Sequence, residues 1–282
     1  MKITSHIHCL RIDFQVTPEI RRFVHVFFIM GEKIYMIDAG VAGSEQIVSD
    51  YLSSMNRSIK EIDRIFLTHS HPDHTGGAAA IKRMSGCKIY ASKTEKEWIE
   101  DIEQQFKERP IPNFHTLLNE SVSIDVFIRN GDVIACEEGI SMQVLDTPGH
   151  SLGSQCFLFQ QEQALFTGDA IPVSGDIPIY VSATQLENSL KKLIAQDNIA
   201  FYLSAWDEIK NTVAGQQALL LALEKQSIID QVVLQVIQSH PNAPLDIQFK
   251  EVCRILKLEK LEHIPPFRQS LSAHLQEAKA HS

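Results

Sequence analysis

Long apolar runs are missing from this chain, and cysteine and tryptophan are scarce. No stretch approaches the ~18 uninterrupted apolar residues of a membrane span, so we expect no membrane association. The five cysteines are odd in number, lie far apart and form no CxxC pair, which is typical of a reduced cytosolic protein and not of a disulfide framework. The amino-terminal residues alternate polar and apolar side chains and lack the apolar core of a secretory signal. We therefore expect a cytoplasmic location.

Positive charge is also in deficit. The chain has 26 Lys and Arg residues against 35 Asp and Glu residues, a formal net charge of −9. Its basic residues are scattered along the chain and form no strong local patch. Adjacent pairs such as Arg21-Arg22 and Lys191-Lys192 are isolated from one another. A field of this sign repels phosphate backbones, so we expect no nucleic-acid partner, and a tRNA- or mRNA-processing nuclease is disfavoured.

The composition is that of a folded globular protein, with 44% hydrophobic and 22% charged residues. Two short β-branched and aromatic runs, residues 23–29 and 33–37, flank a Met-Gly-Glu turn and predict a hairpin. Helical spacing follows at 44–55, a strand at 64–67 and a helix at 76–84. A strand at 88–91 and an amphipathic helix at 94–106 complete this first cycle.

A second, strand-rich cycle begins near residue 121. Turn pairs such as Asn130-Gly131 separate its predicted strands, which are residues 122–128, 133–135, 140–145, 155–159 and 164–167. Two similar β-rich halves, each with helices on one side, predict an α+β fold of two packed sheets flanked by helices.

The remainder is mostly helical. Residues 183–195 have helical spacing, 199–203 form a last strand, and apolar stripes recur at 219–223, 228–237 and 249–256. We predict a catalytic domain over residues 1–210 and a helical appendage over 211–282. The appendage is expected either to cover the site described below or to form a homodimer interface.

One segment concentrates metal-binding chemistry. Residues 68–77 read THSHPDHTGG and place three imidazoles and a carboxylate within six residues: His69, His71, Asp73 and His74. These are ligand types that borderline-soft divalent metals prefer. The predicted strand 64–67 delivers them to its carboxyl end, where sites lie in layered α/β arrangements. Because His69 and His71 are two residues apart, an extended backbone points both to the same side.

The HSHPDH segment resembles the HxHxDH signature of the metallo-β-lactamase superfamily. Asp38, after the early hairpin, resembles the structural aspartate of that family, residues 147–151 (TPGHS) its second histidine loop and residues 167–170 (TGDA) its bridging-aspartate loop. The four elements occur in the expected order over roughly residues 20 to 210. The resemblance implies a four-layer αβ/βα sandwich with one or two divalent metals between its sheets. Zinc is the first expectation, and manganese or iron the alternatives.

The resemblance also implies the ligand set. His69, His71 and His150 would bind the first metal, Asp73 and His74 the second, and Asp169 would bridge the two. A Pro-Gly turn before His150 and Gly168 before Asp169 allow the close backbone approach that a buried metal needs.

The chain departs from the family at the last histidine, which usually serves the second metal. Trp206 stands at that position, and an indole N–H only donates, so it cannot ligate a metal. Asp207 then supplies an oxygen ligand instead, or water fills the gap, or the site holds one metal. The alternative for Asp207 is a capping or surface acid before a helix that starts near Asn211. Nothing in their spacing recommends five further histidines as ligands: His25, His115, His240, His263 and His274.

The resemblance implies a hydrolase in which a metal-activated hydroxide attacks a small ester, thioester or lactone, while Asp73 and Asp169 orient it and accept its proton. Glyoxalase II-like thioesterases and the lactonases of the superfamily are the nearest analogues, and the expected partner is a small-molecule substrate. A true β-lactamase is disfavoured because no export signal is visible. The flavodiiron type would need a flavin domain for which this chain has no room. A degenerate member that binds metal and acts as a regulatory or binding protein is the alternative that Trp206 keeps open.

Overall fold

The computed structural model describes residues 1–176 and 179–280. Within these residues the strands form two six-stranded sheets, and each sheet is built from consecutive strands. The first sheet contains β1 (Ile7–Thr17), β2 (Ile20–Met30), β3 (Ile34–Ile37), β4 (Ile62–Phe66), β5 (Lys88–Ser92) and β6 (Val126–Ile128). The second contains β7 (Val133–Glu137), β8 (Ile140–Asp146), β9 (Gln155–Phe159), β10 (Ala164–Gly168), β11 (Phe201–Ser204) and β12 (Lys210–Asn211).

The helices connect and cover these sheets. They are α1 (Ser44–Ser53), α2 (Pro72–Thr75), α3 (Ala78–Ser85), α4 (Lys96–Glu100), α5 (Ile102–Glu108), α6 (Phe114–Leu117), α7 (Ala183–Ile194), α8 (Thr212–Ser239), α9 (Leu245–Leu256) and α10 (Pro265–Ala280). No described helix is both long enough and apolar enough to cross a membrane.

In both sheets, strands that follow one another in the chain are neighbours in the sheet. β1, β2 and β3 pair antiparallel, and β3 to β6 pair parallel. In the second sheet, β7 to β10 pair antiparallel and β10 pairs parallel with β11. Backbone hydrogen bonds also join the two halves at one edge, from Gln155 N to Thr68 O (2.9 Å) and from His25 N to Ala205 O (2.8 Å).

The sheets pack face to face through buried aromatic side chains. Phe27 contacts Phe166 with ring centroids 5.4 Å apart, and Phe66 contacts Phe157 at 5.5 Å. Because side chains alternate along a strand, the opposite faces of the sheets are free to bury helices. Helices α1 and α3 cover the first sheet, and α7 and the first half of α8 cover the second. The predicted four-layer αβ/βα sandwich with C-terminal helices is confirmed.

The C-terminal helices form a further core of their own. Val233 of α8, Phe249 of α9, and Phe267 and Leu271 of α10 are buried together. Helix α8 is continuous over 28 residues, and its earlier residue Leu219 packs in the fourth layer of the sandwich. The helix begins at the predicted position, where the Asn211 side chain accepts a hydrogen bond from Ala214 N. The predicted domain boundary between residues 210 and 211 coincides with this helix start and stays a prediction.

Several element boundaries differ from those predicted. The alternating amino-terminal residues form β1, which has no counterpart among the predicted strands. The helix predicted over 94–106 is divided into α4 and α5, because Asp101 is extended and its side chain caps α5 by accepting a hydrogen bond from Gln104 N. The strand predicted over 122–128 is shorter, β6 covering Val126–Ile128. The stripes at 219–223 and 228–237 belong to the one helix α8.

Candidate metal centre

The loop after β4 carries the first histidines into the molecule. His69 and His71 lie in non-helical backbone at the end of the strand, and both are buried. Pro72 then occupies the first position of α2, where its missing N–H costs nothing. The short helix turns Asp73 and His74 back toward the same point, as the sequence predicts.

Two glycines allow the other loops to approach. Gly149 has φ +137° and a Cβ there would lie 2.4 Å from Leu186 Cα, while Gly168 has φ +50° and a Cβ would lie 2.6 Å from Thr68 Oγ1. Only glycine accepts both the positive φ and the backbone contact at position 149. These glycines deliver His150 and Asp169, which follow them directly.

The three loops meet in one cluster. His69, His71, His150 and Asp169 each place a ligand atom within 4.8 Å of the others, and Asp73, His74 and Asp169 form a second such group. Asp169 belongs to both groups, which is the arrangement that a bridging carboxylate requires. The structure therefore brings together six of the seven predicted ligands, and their role as ligands stays a prediction.

The donor atoms fit a divalent cation. Five side-chain atoms of the cluster residues are buried and make no hydrogen bond: His69 Nε2, His71 Nε2, His74 Nε2, Asp73 Oδ2 and Asp169 Oδ1. His150 Nδ1 lies 2.9 Å from the Ile179 carbonyl oxygen, to which it donates as a neutral ring, so that its Nε2 faces the cluster 2.9 Å from His71 Nδ1. Buried polar atoms without partners are costly, and a cation bound among them removes that cost.

Electrostatics keeps three of the rings available as ligands. Burial lowers the pKa of His69 and of His71 well below its usual range, and neighbouring histidines and Arg109 lower it further. Burial also lowers the pKa of His150, against the opposing effect of Asp169. These imidazoles are neutral at physiological pH, which is the form that binds metal.

His74 and Asp73 behave as a coupled pair. Burial lowers the pKa of His74, but the carboxylates of Asp169, Asp38 and Asp73 outweigh it and raise that pKa well above the usual value. Burial raises the pKa of Asp73, and the charge on His74 more than compensates and holds it below its usual value. A proton on His74 would thus supply, among these carboxylates, the positive charge that a metal cation would supply in the second group.

Asp38 orients His74. Its Oδ2 lies 2.7 Å from His74 Nδ1, and its carboxylate also accepts hydrogen bonds from the backbone N (2.8 Å) and hydroxyl of Thr68. A carboxylate on Nδ1 leaves Nε2 directed at the cluster, the arrangement common behind metal-binding histidines. Asp38 itself has φ 60°, a left-handed conformation that aspartate and asparagine tolerate.

Glu95, which no sequence pattern singled out, joins two of the ligand loops. One oxygen of its buried carboxylate accepts hydrogen bonds from the backbone N (3.0 Å) and hydroxyl of Ser70, and the other accepts from Ser151 Oγ (2.7 Å) and Gly153 N (2.6 Å). The residue falls inside the stretch 94–106, which is predicted as an amphipathic helix, where a glutamate is unremarkable. Glu95 is 95% buried only because of the tertiary structure around it.

A cavity of about 410 Å³ opens in front of the cluster. His71, Asp73, His150 and Asp169 line its floor. Its walls are mainly apolar and include Phe14, Val16, Ile20, Ile111, Leu117, Ile171, Val173 and Ile264. His263, Pro265 and Pro266 also contribute, so the connection between α9 and α10 and the start of α10 form part of the wall.

Trp206 and Asp207 have different surroundings. Trp206 lines the cavity, and its Nε1 is buried without a hydrogen-bond partner. Asp207 belongs to neither ligand group among the described residues. Its carboxylate forms an ion pair with Lys210 (2.7 Å) and accepts a hydrogen bond from Glu208 N (2.7 Å). The prediction that Asp207 ligates the second metal has no support from this position and stays a prediction.

The remaining histidines also lie outside both described groups. His115 is exposed and pairs with Glu103 (3.0 Å), whereas buried His274 contacts Tyr180 and Asp230. Of the five histidines set aside on spacing, His263 alone lies among the described lining residues of the cavity, the others being His25, His115, His240 and His274.

Two facing sheets with a His/Asp cluster at their shared edge define a metal-binding αβ/βα sandwich. A family model described as the metallo-beta-lactamase superfamily matches residues 20–202, and the chain belongs to this superfamily of metal-dependent hydrolases.

Relatives and solved structures agree with this assignment. A hydroxyacylglutathione hydrolase of Hyphomonas neptunium is 29% identical over 144 residues, covering 51% of this chain and 47% of that protein. An atrochrysone carboxyl ACP thioesterase of Emericella nidulans is 24% identical over 238 residues, covering 80% and 68%. The chain thus spans about half the length of the first of these relatives. A metallo-beta-lactamase family protein from Thermus thermophilus has the same fold, with a TM-score of 0.76 at 16% identity, covering 99% of this chain and 94% of that one.

Proposed function

We propose that this chain is a metal-dependent hydrolase that cleaves a small ester, thioester or lactone. The observation that carries the proposal is the pair of ligand groups sharing Asp169 at the floor of an apolar cavity. Such a cavity with a few convergent polar groups is the usual form of a small-molecule site. The names of two relatives, a hydroxyacylglutathione hydrolase and an acyl-carrier-protein thioesterase, favour a thioester among the three.

His69, His71, His150 and Asp169 would hold the first cation, and Asp73, His74 and Asp169 the second. When bound, a divalent cation would lower the pKa of a coordinated water to about 7 and polarise a carbonyl oxygen. Three imidazoles suit zinc in the first group, whereas two carboxylates in the second also suit manganese or iron.

We assign the handling of the water and its proton to the chain's own carboxylates. Asp73 and Asp169 both line the cavity floor, which supports a role for each in orienting a water and accepting its proton. The apolar walls exclude bulk water from the rest of the substrate, which strengthens polar interactions at the floor. As the water oxygen bonds to the acyl carbon, the same carboxylates would return that proton to the alcohol or thiol that leaves.

The test combines metal content with turnover. Protein purified without chelator and supplied with Zn, Mn or Fe(II) is assayed for bound metal by inductively coupled plasma mass spectrometry, and for hydrolysis of thioester, lactone and aryl ester substrates. We expect one or two bound metals and turnover that His71→Ala abolishes. His115→Ala, which changes an exposed histidine, is the matched control and should retain activity.

Two outcomes would overturn the proposal. Full activity in His71→Ala would remove the cluster from the reaction. Tight metal binding without turnover of any substrate would favour the alternative, a binding or regulatory member. That alternative draws on Trp206 at the position of the usual histidine and on the pairing of Asp207 with Lys210, which leave three residues in the second group.

A further inference from the structure

Arg109 is a buried cation with no partner at the cavity. The residue ends α5, is 92% buried, and lines the cavity beside His71 and Asp73. Its guanidinium makes no hydrogen bond and no ion pair with any described residue, although its backbone N bonds to Gln105 O (2.8 Å). A buried arginine is normally paired, because an unpaired charge away from water is costly.

Two acidic residues lie close enough to influence Arg109 without pairing with it. Burial lowers the pKa of Arg109 to about 10, and Asp73 and Asp169 oppose that change. The side chain is therefore charged at neutral pH. Both carboxylates face the metal groups, so a bound cation would engage them and leave the guanidinium with less compensating charge.

The rest of the cavity favours one small anion. Among the described residues that line it, the other fixed cation, Arg22, already pairs with Asp176 (3.3 Å) and lies over the Trp206 ring at 5.5 Å. An unpaired guanidinium within apolar walls calls for a ligand that accepts hydrogen bonds and carries one negative charge.

We infer that Arg109 binds a carboxylate of the substrate, so that the preferred substrate is an acyl compound with an apolar chain and a single carboxylate. The planar guanidinium matches a carboxylate with two parallel hydrogen bonds. A phosphate dianion is less suited, because its second charge would face Asp73 and Asp169. The inference rests on the proposed hydrolase function only for its kinetic test.

Binding is measured first, because it does not depend on turnover. Calorimetric titration of the metal-supplied protein with pentanoate, pentanamide and a phosphate monoester is compared in the wild type and in Arg109→Gln. We expect pentanoate to bind more tightly than the other two. Arg109→Gln should weaken pentanoate binding roughly 10- to 100-fold, the loss of a charge-assisted hydrogen-bonded pair. Lys107→Gln makes the same charge change on an exposed side chain of α5 and should leave binding unchanged.

A further variant separates geometry from charge. Arg109→Lys keeps the charge but loses the planar pair of donors, and should recover part of the affinity for pentanoate. Bound metal is counted for every variant and should equal that of the wild type.

The kinetic arm uses two thioesters of one length, ending in a carboxylate or in a methyl group. We expect Arg109→Gln to raise KM for the carboxylate substrate alone, with kcat nearly unchanged. Equal losses on both substrates with reduced metal content would assign Arg109 to holding the acidic ligands instead. Unchanged pentanoate affinity, or a preference for the phosphate, would overturn the carboxylate assignment. Absence of turnover with Arg109-dependent binding would refute the hydrolase proposal and leave this inference standing.

Discussion

Ser70 and Ser151 donate hydrogen bonds to the two oxygens of one carboxylate, that of Glu95. Ser70 lies between the metal-ligand candidates His69 and His71, and Ser151 directly follows His150. The Glu95 carboxylate therefore sets the spacing between two ligand loops that come from different sheets.

Replacing Glu95 tests this link. Glu95→Gln puts an NH2 group against hydroxyl and amide donors, leaving at least one buried donor without a partner. We expect a loss of roughly 1–3 kcal/mol in unfolding free energy and 10- to 100-fold weaker metal binding, as for other outer partners of metal ligands. Chemical denaturation and competition with a chromophoric chelator measure the two effects. Glu97→Gln, which changes an exposed side chain, is the control. Equally small changes in unfolding free energy and metal affinity in both variants would contradict the role of Glu95 in joining the two ligand loops.

Asp38 offers a second test, because asparagine tolerates its positive φ. Asp38→Asn keeps the backbone conformation but loses the charge beside His74 and one acceptor for Thr68. We expect the second group to bind metal more weakly, while the first group, which lacks His74, is affected less. Metal titration followed by mass spectrometric counting distinguishes the two. An undiminished second equivalent would show that Asp38 does not orient His74.

Metal removal should lower thermal stability. A bound cation would stabilise the buried atoms of the cluster that lack hydrogen bonds, and a ligand at 100 times its Kd adds about 2.7 kcal/mol. For a chain of this size that corresponds to a Tm change of roughly 5–10 °C. Scanning calorimetry with and without a chelator measures it. In Asp169→Asn both groups should bind metal more weakly, so its Tm should change much less when the chelator is added. An unchanged wild-type Tm after addition of the chelator would argue against a bound metal.

Helix α10 should stabilise the first ligand group. Ser270 Oγ accepts a hydrogen bond from Tyr180 N (2.9 Å), and the preceding carbonyl, that of Ile179, accepts from His150 Nδ1. Ser270→Ala leaves the buried Tyr180 N–H unpaired, which we expect to cost roughly 1–3 kcal/mol and to weaken metal binding. Ser272→Ala on the same helix is the control. Equal Tm and metal affinity in the two variants would separate α10 from the site.

The cysteines should be unreactive in the folded protein. Burial raises the pKa of the Cys156 thiol to about 12 and that of half-buried Cys136 to about 11. Only the thiolate reacts rapidly with alkylating agents, so at pH 8 we expect slow labelling of the native protein and complete labelling of all five cysteines after unfolding. Mass spectrometry of iodoacetamide-treated protein measures this. Rapid native labelling at Cys156 would contradict its burial.

The histidine motif could be read from the sequence because its geometry is local. An extended residue, a proline at a helix start and two-residue spacing place His69, His71, Asp73 and His74 with no information from distant residues. Gly149 and Gly168 likewise indicate a close approach of the backbone to neighbouring loops, because the capacity for a positive φ is a property of glycine itself. Alternating and helical apolar spacing likewise predicted most of the strands and helices, apart from β1 and the division of α4 from α5.

Glu95, Arg109 and the surroundings of Asp207 depend on contacts between residues far apart in the chain. Glu95 and Ser151 are separated by 56 positions, and an isolated glutamate or arginine carries no local mark of burial. Trp206 combines both kinds of information, since its chemistry excluded a metal ligand, while only the packed loops placed the residue in the cavity wall. The sequence determined which groups could bind metal. The tertiary structure decided which charges remain unpaired beside them, because pairing depends on which loops meet.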